Sequence, residues 1–222
     1  LSHRVCSVMP IMKVTEENPF RVLGLSLNAS DRQITKRVNE LTTLYEFGKS
    51  KDFDTDFPFI SDLNRSPEAI ERAARQIELP DQKIFHASYW FWNDNSVDDL
   101  VYEVLKAGGV EKARELWSRQ IQDSELSKKN YSNYKNLALL NLLLALKGDD
   151  PDFEKLGLAI SQFLGFYSNP SYAEFCAEVS GKTHNQETLA STKTFIDELA
   201  KHLNLINGSA NAGKANKFIS SF

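Results

Sequence analysis

Between positions 97 and 203 apolar residues recur at steps of three and four, and no stretch of the 222-residue chain sustains the every-second-residue alternation of a half-buried strand. That spacing puts apolar side chains on one face of successive helices and leaves no sequence for a sheet. Val97, Leu100, Val101, Val104 and Leu105 define one helix, stopped by Gly108-Gly109; Val110, Ala113, Leu116, Trp117 and Ile121 define the next. A long helix is expected over residues 131–147, with Gly148 as its stop. Asp150-Pro151 opens another that carries Phe153, Leu156, Ile160, Phe163 and Leu164. Pro170 opens a short helix through Val179, closed by Gly181, and a last one spans residues 186–205 with Leu189, Phe195, Leu199 and Leu203 inward. The expected class is all-α. Helices paired through short loops predict an irregular array of antiparallel hairpins, tetratricopeptide-like around Ala113 and Trp117, although no clean 34-residue period repeats.

The first ninety residues are punctuated more heavily. Asn18-Pro19 is a capped helix start and Gly24 ends that helix after Leu23. Ser30 or Asp31 caps a second helix whose stripe is Ile34, Val38, Leu41 and Tyr45, ending near Phe47-Gly48. Residues 49–66 are a polar, Asp- and Phe-rich loop, which Phe53, Phe57 and Phe59 should anchor. Ser66-Pro67 starts a helix with Ile70, Ala73, Ala74 and Ile77 inward; Pro80 breaks it, and Asp81 should cap a continuation through Trp92. The aromatic patch Phe85, Tyr89, Trp90, Phe91 and Trp92 reads as core. Asn93-Asp94-Asn95-Ser96 is a turn cluster and the expected boundary. The organisation is then a poorly ordered extension (residues 1–15), a helical domain (16–95), a helical-repeat-like domain (96–206) and a flexible tail (207–222). Trp90 and Trp92, two residues apart, would face opposite ways on a helix, so one of them should pack on the helix over residues 97–105 and fix the interface. The chain begins with Leu1, which suggests a fragment or processed product.

Composition narrows the function classes. Twenty-six basic against thirty acidic residues give a net charge of −4, without the basic excess of a general nucleic-acid binder. Cys6 and Cys176 cannot form a disulfide scaffold or a metal-ligand pattern, and the apolar run at residues 137–146 is far short of the roughly 20 residues that span a bilayer. With no secretory leader, a cytoplasmic location is expected. Gly208 to Lys214 mimics a phosphate-binding loop, but a helix precedes it and Ala215 stands where the magnesium-binding hydroxyl belongs. Asp52, Asp54 and Asp56 mimic half a calcium loop, with Phe57 and Leu63 at positions that need Gly and Glu. His3, His86, His184 and His202 are scattered, and His86 reads as a buried, hydrogen-bonded core residue. No catalytic residue, cofactor or metal site is expected.

One resemblance carries information. Asn18-Pro-Phe-Arg-Val-Leu-Gly-Leu25 followed by Asn28-Ala-Ser-Asp-Arg-Gln-Ile34 resembles the first helix and the capped second helix of the J domain of DnaJ-type co-chaperones, and Ile70, Ala73, Ile77, Pro80 and Lys83 loosely match its third helix and the turn after it. The resemblance covers about a third of the chain. It implies a J-like three-helix domain that docks a heat-shock chaperone through the basic face of the second helix, here Arg32, Lys36 and Arg37. The family places His-Pro-Asp after that helix; this chain has Glu46-Phe47-Gly48 there and His-Pro-Asp nowhere. The expectation is a non-enzymatic protein–protein interaction or scaffold module with a degenerate J-like domain. The alternative is a co-chaperone acting through a non-standard loop. The partner is expected to be a protein, either a heat-shock chaperone or a peptide or helix in the repeat groove, with no nucleic acid and no membrane contact from this segment.

Overall fold

The computed structural model of the chain describes residues 11–122, 124–147, 151–181 and 188–206, without the side chains of 188–191 and 202–206. The tail at 207–222 with its Gly208–Lys214 loop, the start of the extension at 1–10, the Gly148 stop and the Asp150 cap lie outside the described residues. Among those described the structure is all helical: α1 (Ile11–Glu16), α2 (Pro19–Leu23), α3 (Asp31–Glu46), α4 (Pro67–Gln76), α5 (Pro80–Ser88), α6 (Ser96–Lys106), α7 (Val110–Ile121), α8 (Tyr131–Ala145), α9 (Phe153–Ser168), α10 (Ser171–Ser180) and α11 (Thr188–Ile206).

Local signals fix most of these boundaries. Asn18 accepts from the Phe20 amide at 3.1 Å, Pro19 occupies the first turn, and Gly24 ends α2 in the left-handed conformation at φ 56°. Ser30 and Gln33 form a reciprocal capping box at the start of α3. Ser66 caps α4, and Asn95 receives the amides of Val97 and Asp98 at the start of α6. Asp152 caps α9.

Three expectations change. Residues 11–15, placed in a poorly ordered extension, form α1 together with Glu16, because Ile11 and Val14 one turn apart are both buried in the core. Pro80 is the first residue of α5, with Leu79 extended before it, so Asp81 lies inside the first turn instead of capping the helix. Helix α5 stops at Ser88, so Trp90, Phe91 and Trp92 run as a non-helical segment and the helical argument for opposite Trp faces does not apply. Both tryptophans are nevertheless buried. Trp92 meets Tyr131 of α8 and Phe175 of α10 edge-on, at centroid distances of 6.4 and 5.1 Å. It is Phe91 that reaches toward α6 and α7, stacking on Trp117 at 5.9 Å and meeting Phe57 edge-on at 5.4 Å; Phe57 in turn meets Tyr102 of α6.

The core therefore runs without a break across residues 93–96, from Ile11 to Leu199. Helix α5 packs on α10, α1 on α11, and α8 lies along α9. At the α8–α9 crossing Gly165 leaves room for Tyr134, whose hydroxyl would lie 2.6 Å from any Cβ there. His86 is buried as expected, but its Nδ1 has no partner, and burial pushes its pKa down to about 4.

Candidate functional site

The residues expected to dock a partner lie on α3 and at its exit. Arg32 and Lys36 are exposed. Arg37 is not available in the same way. Its Nη1 donates to the carbonyls of Leu23 and Gly24, both at 2.7 Å, its Nε pairs with Glu40 at 3.0 Å, and its guanidinium lies 4.6 Å above the Phe53 ring. The expected three-residue basic face thus divides into two exposed cations and one that ties α3 to the end of α2.

Phe53 is the centre of this arrangement. Arg65 and Lys51 also lie over its ring, at 4.8 and 5.5 Å, and the ring rests so closely on Gly24 that a Cβ there would sit 2.2 Å from it. Arg65 pairs with Asp56 at 2.6 Å and donates to the carbonyls of Val22 and Arg21. Lys51 pairs with Glu40, a hydrogen bond that holds the Glu40 carboxyl below its ordinary range. Asp54 pairs with Lys106. Two of the three acidic residues that mimic a calcium loop are therefore spent on ion pairs, and among the described residues no group of three His, Cys, Asp or Glu is placed to hold a metal.

The exit of α3 is the opposite of a packed element. Tyr45, assigned to the inward stripe, is 50% exposed and Phe47 73% exposed. An open groove of about 700 Å³ is lined by Leu41, Leu44, Tyr45 and Leu63 and by the charged residues Lys49 and Asp52. Glu46 and Gly48 are exposed at the same turn, Gly48 at φ 64°. Tyr45 lines this mixed polar and apolar groove, and the exposed Phe47 ring lies two residues further along the same turn. The sequence hid it because Tyr45 completes the four-three-four spacing of the core stripe, while only Ile34 and Leu41 of α3 are buried.

A second cluster, unmarked by any motif, is buried. Asp98 is fully buried and accepts from Trp117 Nε1 at 2.9 Å, Ser132 Oγ at 2.6 Å, and the side-chain amides of Asn133 and Asn136 at 2.8 and 3.1 Å. Asn136 also brackets the Trp92 backbone, accepting from its amide at 2.8 Å and donating to its carbonyl at 2.7 Å. Lys135, fully buried, donates to the Trp90 carbonyl, and burial pushes its pKa down to about 7 against the opposing pull of Asp98. This constellation clamps the aromatic segment to α8. Its donors and acceptors are occupied by one another, so it positions chain and presents no reacting group. Cys176 is buried and not disulfide-bonded.

No protein-family model, curated protein or solved structure matches the chain. No described helix is long and apolar enough to cross a membrane.

Proposed function

We propose that the chain is a non-enzymatic protein-interaction module, a degenerate J-like domain joined to tetratricopeptide-like helical hairpins, which docks a protein partner in the cytoplasm through the exit of α3. The observation that carries this reading is the exposed pair Tyr45 and Phe47 at the exit of α3, where Tyr45 lines the groove that Leu44 and Leu63 share. Aromatic anchors beside a pocket are the usual centre of a protein interface. Lys49 and Lys51 in the groove lining and the exposed Lys36 of α3 favour a partner segment with apolar anchors and acidic flanks, such as an amphipathic helix. Engagement of Arg37 by Phe53 and the α2 carbonyls supports scaffold over co-chaperone, since it removes one of three cations from the face the J family uses.

The test places a photo-crosslinking phenylalanine analogue at Phe47 and, as a control, at the exposed Leu158 of α9. The expected result is a discrete protein adduct from position 47 that is absent from position 158 and lost with Tyr45→Ser. Equal labelling from both positions, or none from 47, overturns the reading. Added to a heat-shock chaperone, the chain should leave ATP hydrolysis at its basal rate. Stimulation abolished by Arg32→Ala with Lys36→Ala would establish the co-chaperone alternative instead.

A further inference from the structure

Five large apolar or aromatic side chains are exposed among the described residues, and three of them, Tyr45, Phe47 and Leu79, belong to the hairpin of α3 and α4 and its corners. Helix α4 starts beside the groove, where Asn64 and Arg65 share the lining with Leu44 and Tyr45, and packs along α3. Past its other end the chain returns to the start of α3, where Lys83 donates to the Ala29 carbonyl at 2.6 Å. Leu79, 57% exposed, therefore lies toward one end of the hairpin and the pair Tyr45 and Phe47 at the other. The two ends are separated by about the 24 Å that a sixteen-residue helix spans.

Exposed charges follow the same division. Arg32, Lys36, Asn39, Thr43 and Glu46 recur at steps of four, three, four and three, so they share one face of α3, and all five are exposed. Arg32 and Lys36 stand at the start of this stripe and Glu46 at its exit. At the start end of the hairpin Glu78 and Asp81 flank Leu79; at the exit end Lys49 follows Phe47 into the groove lining. Among the described residues none of these six charged side chains has an ion-pair partner. A face with unlike ends complements itself when a second copy lies antiparallel to it. A two-fold axis at Asn39, midway between positions 32 and 46, sets each Arg32 opposite the other copy's Glu46. The same axis carries the Phe47 and Lys49 end of each hairpin to the end that bears Glu78, Leu79 and Asp81.

We propose that the partner docked at the exit of α3 is a second copy of this chain, lying antiparallel along α3 about a two-fold axis at Asn39. The inference rests on the reading of that exit as a docking surface and names its occupant. The segment favoured there, an apolar anchor with acidic flanks, is present in the chain itself as Glu78-Leu79-Pro80-Asp81. An isologous arrangement makes every contact twice and closes on itself, so it yields a dimer and not a fibre. Its contacts are exposed ion pairs and a few apolar anchors, which makes the dimer small in area and sensitive to salt.

Sedimentation velocity of the purified full chain tests this. The parent should dimerise as concentration rises, and less so as salt is added. Phe47→Ser should stay monomeric over the same range. Arg32→Glu and Glu46→Arg each set like charges opposite one another twice, and each should weaken the dimer about tenfold. An equal mixture of these two variants pairs the new carboxylate with the new guanidinium and keeps the remaining native pair, so it should recover the parent's dimer. A parent that stays monomeric at hundreds of micromolar, a dimer indifferent to Phe47→Ser, or a mixture no more associated than its components would each overturn the proposal. With the crosslinking analogue at Phe47, the purified chain alone should give an adduct of twice its mass. An adduct formed only with a different protein overturns the dimer and keeps the docking surface; no adduct at all sinks both.

Discussion

Helices α3 and α8 are nearly the same length, sixteen and fifteen residues, and are built on opposite plans. Helix α3 buries only Ile34 and Leu41 and turns its other faces to solvent and to the loop that crosses it. Helix α8 buries thirteen residues, among them Ser132, Asn133, Lys135, Asn136 and Asn141. A surface helix can carry polar residues at little cost. A central one must pair each of them, and α8 does so by using its polar first two turns to grip Asp98 and the backbone of Trp90 and Trp92. The fold is thus joined at its middle by a buried set of hydrogen bonds with directional requirements, while α3 is tied to its surroundings by half-exposed hydrogen bonds and ion pairs of Arg37 and Lys51.

The largest effect should come from breaking the buried grip. Asp98→Ala would leave five donors, from the Asp94 amide and the side chains of Trp117, Ser132, Asn133 and Asn136, without this acceptor in a buried environment. The expected loss is on the order of 3–5 kcal/mol in urea unfolding. Because the core is continuous across residues 93–96, the loss should appear in a single transition. A loss below about 1 kcal/mol, or two resolved transitions, would show that the cluster does not join the parts.

The same contrast explains what could be read from the sequence. The start of α3 was legible because its cap, its acidic first turn and its stripe all follow local rules, and so was the end of α2 at Gly24. The segment Trp90 to Trp92 was legible as core but not as non-helical, since its conformation is set by Asn136 and Lys135, more than forty residues away. No local sequence rule marks Lys135 as buried. The one hint was a polar run, Ser132-Asn133-Tyr134-Lys135-Asn136, at the head of a helix whose second half is mostly Leu and Ala. At the candidate site, sequence placed Phe47 and Gly48 at the helix exit but gave no way to know that Tyr45 would be left outside. Nor could it show that Phe53 would fold back onto Gly24 and engage Arg37.

A smaller effect, visible as a change of slope, should follow from Lys135. Its pKa falls from an unfolded value of 10.5 to about 7, so between these limits the unfolded chain holds a proton that the folded chain lacks. Stability should therefore rise with pH across this window, by at most about 1.4 kcal/mol per unit for one proton, and the cost of burying the ammonium is fully present below pH 7. Lys135→Met keeps the bulk and removes the charge. The stability difference between variant and parent should favour the variant most at pH 6 and shrink steadily toward pH 10. Parallel profiles would mean that Lys135 titrates normally in the folded state.

The smallest effects belong on α3, and they divide its three cations. Arg37→Ala removes two hydrogen bonds to the end of α2, the pairing with Glu40 and the stacking on Phe53, and should cost roughly 1.5–3 kcal/mol. Arg32→Ala and Lys36→Ala touch solvated side chains and should each stay within about 0.5 kcal/mol of the parent. Urea midpoints of the three variants check this directly. The division also sharpens the comparison between helices. If Arg37 proved as dispensable as its neighbours, α3 would be held by Ile34 and Leu41 alone, and the 49–66 loop would not be fastened to it through Phe53. If Arg32 or Lys36 proved costly, the basic face would be part of the fold rather than a surface open to a partner. A selective loss at Arg37 leaves Arg32 and Lys36 as the cations of that face free to meet another protein.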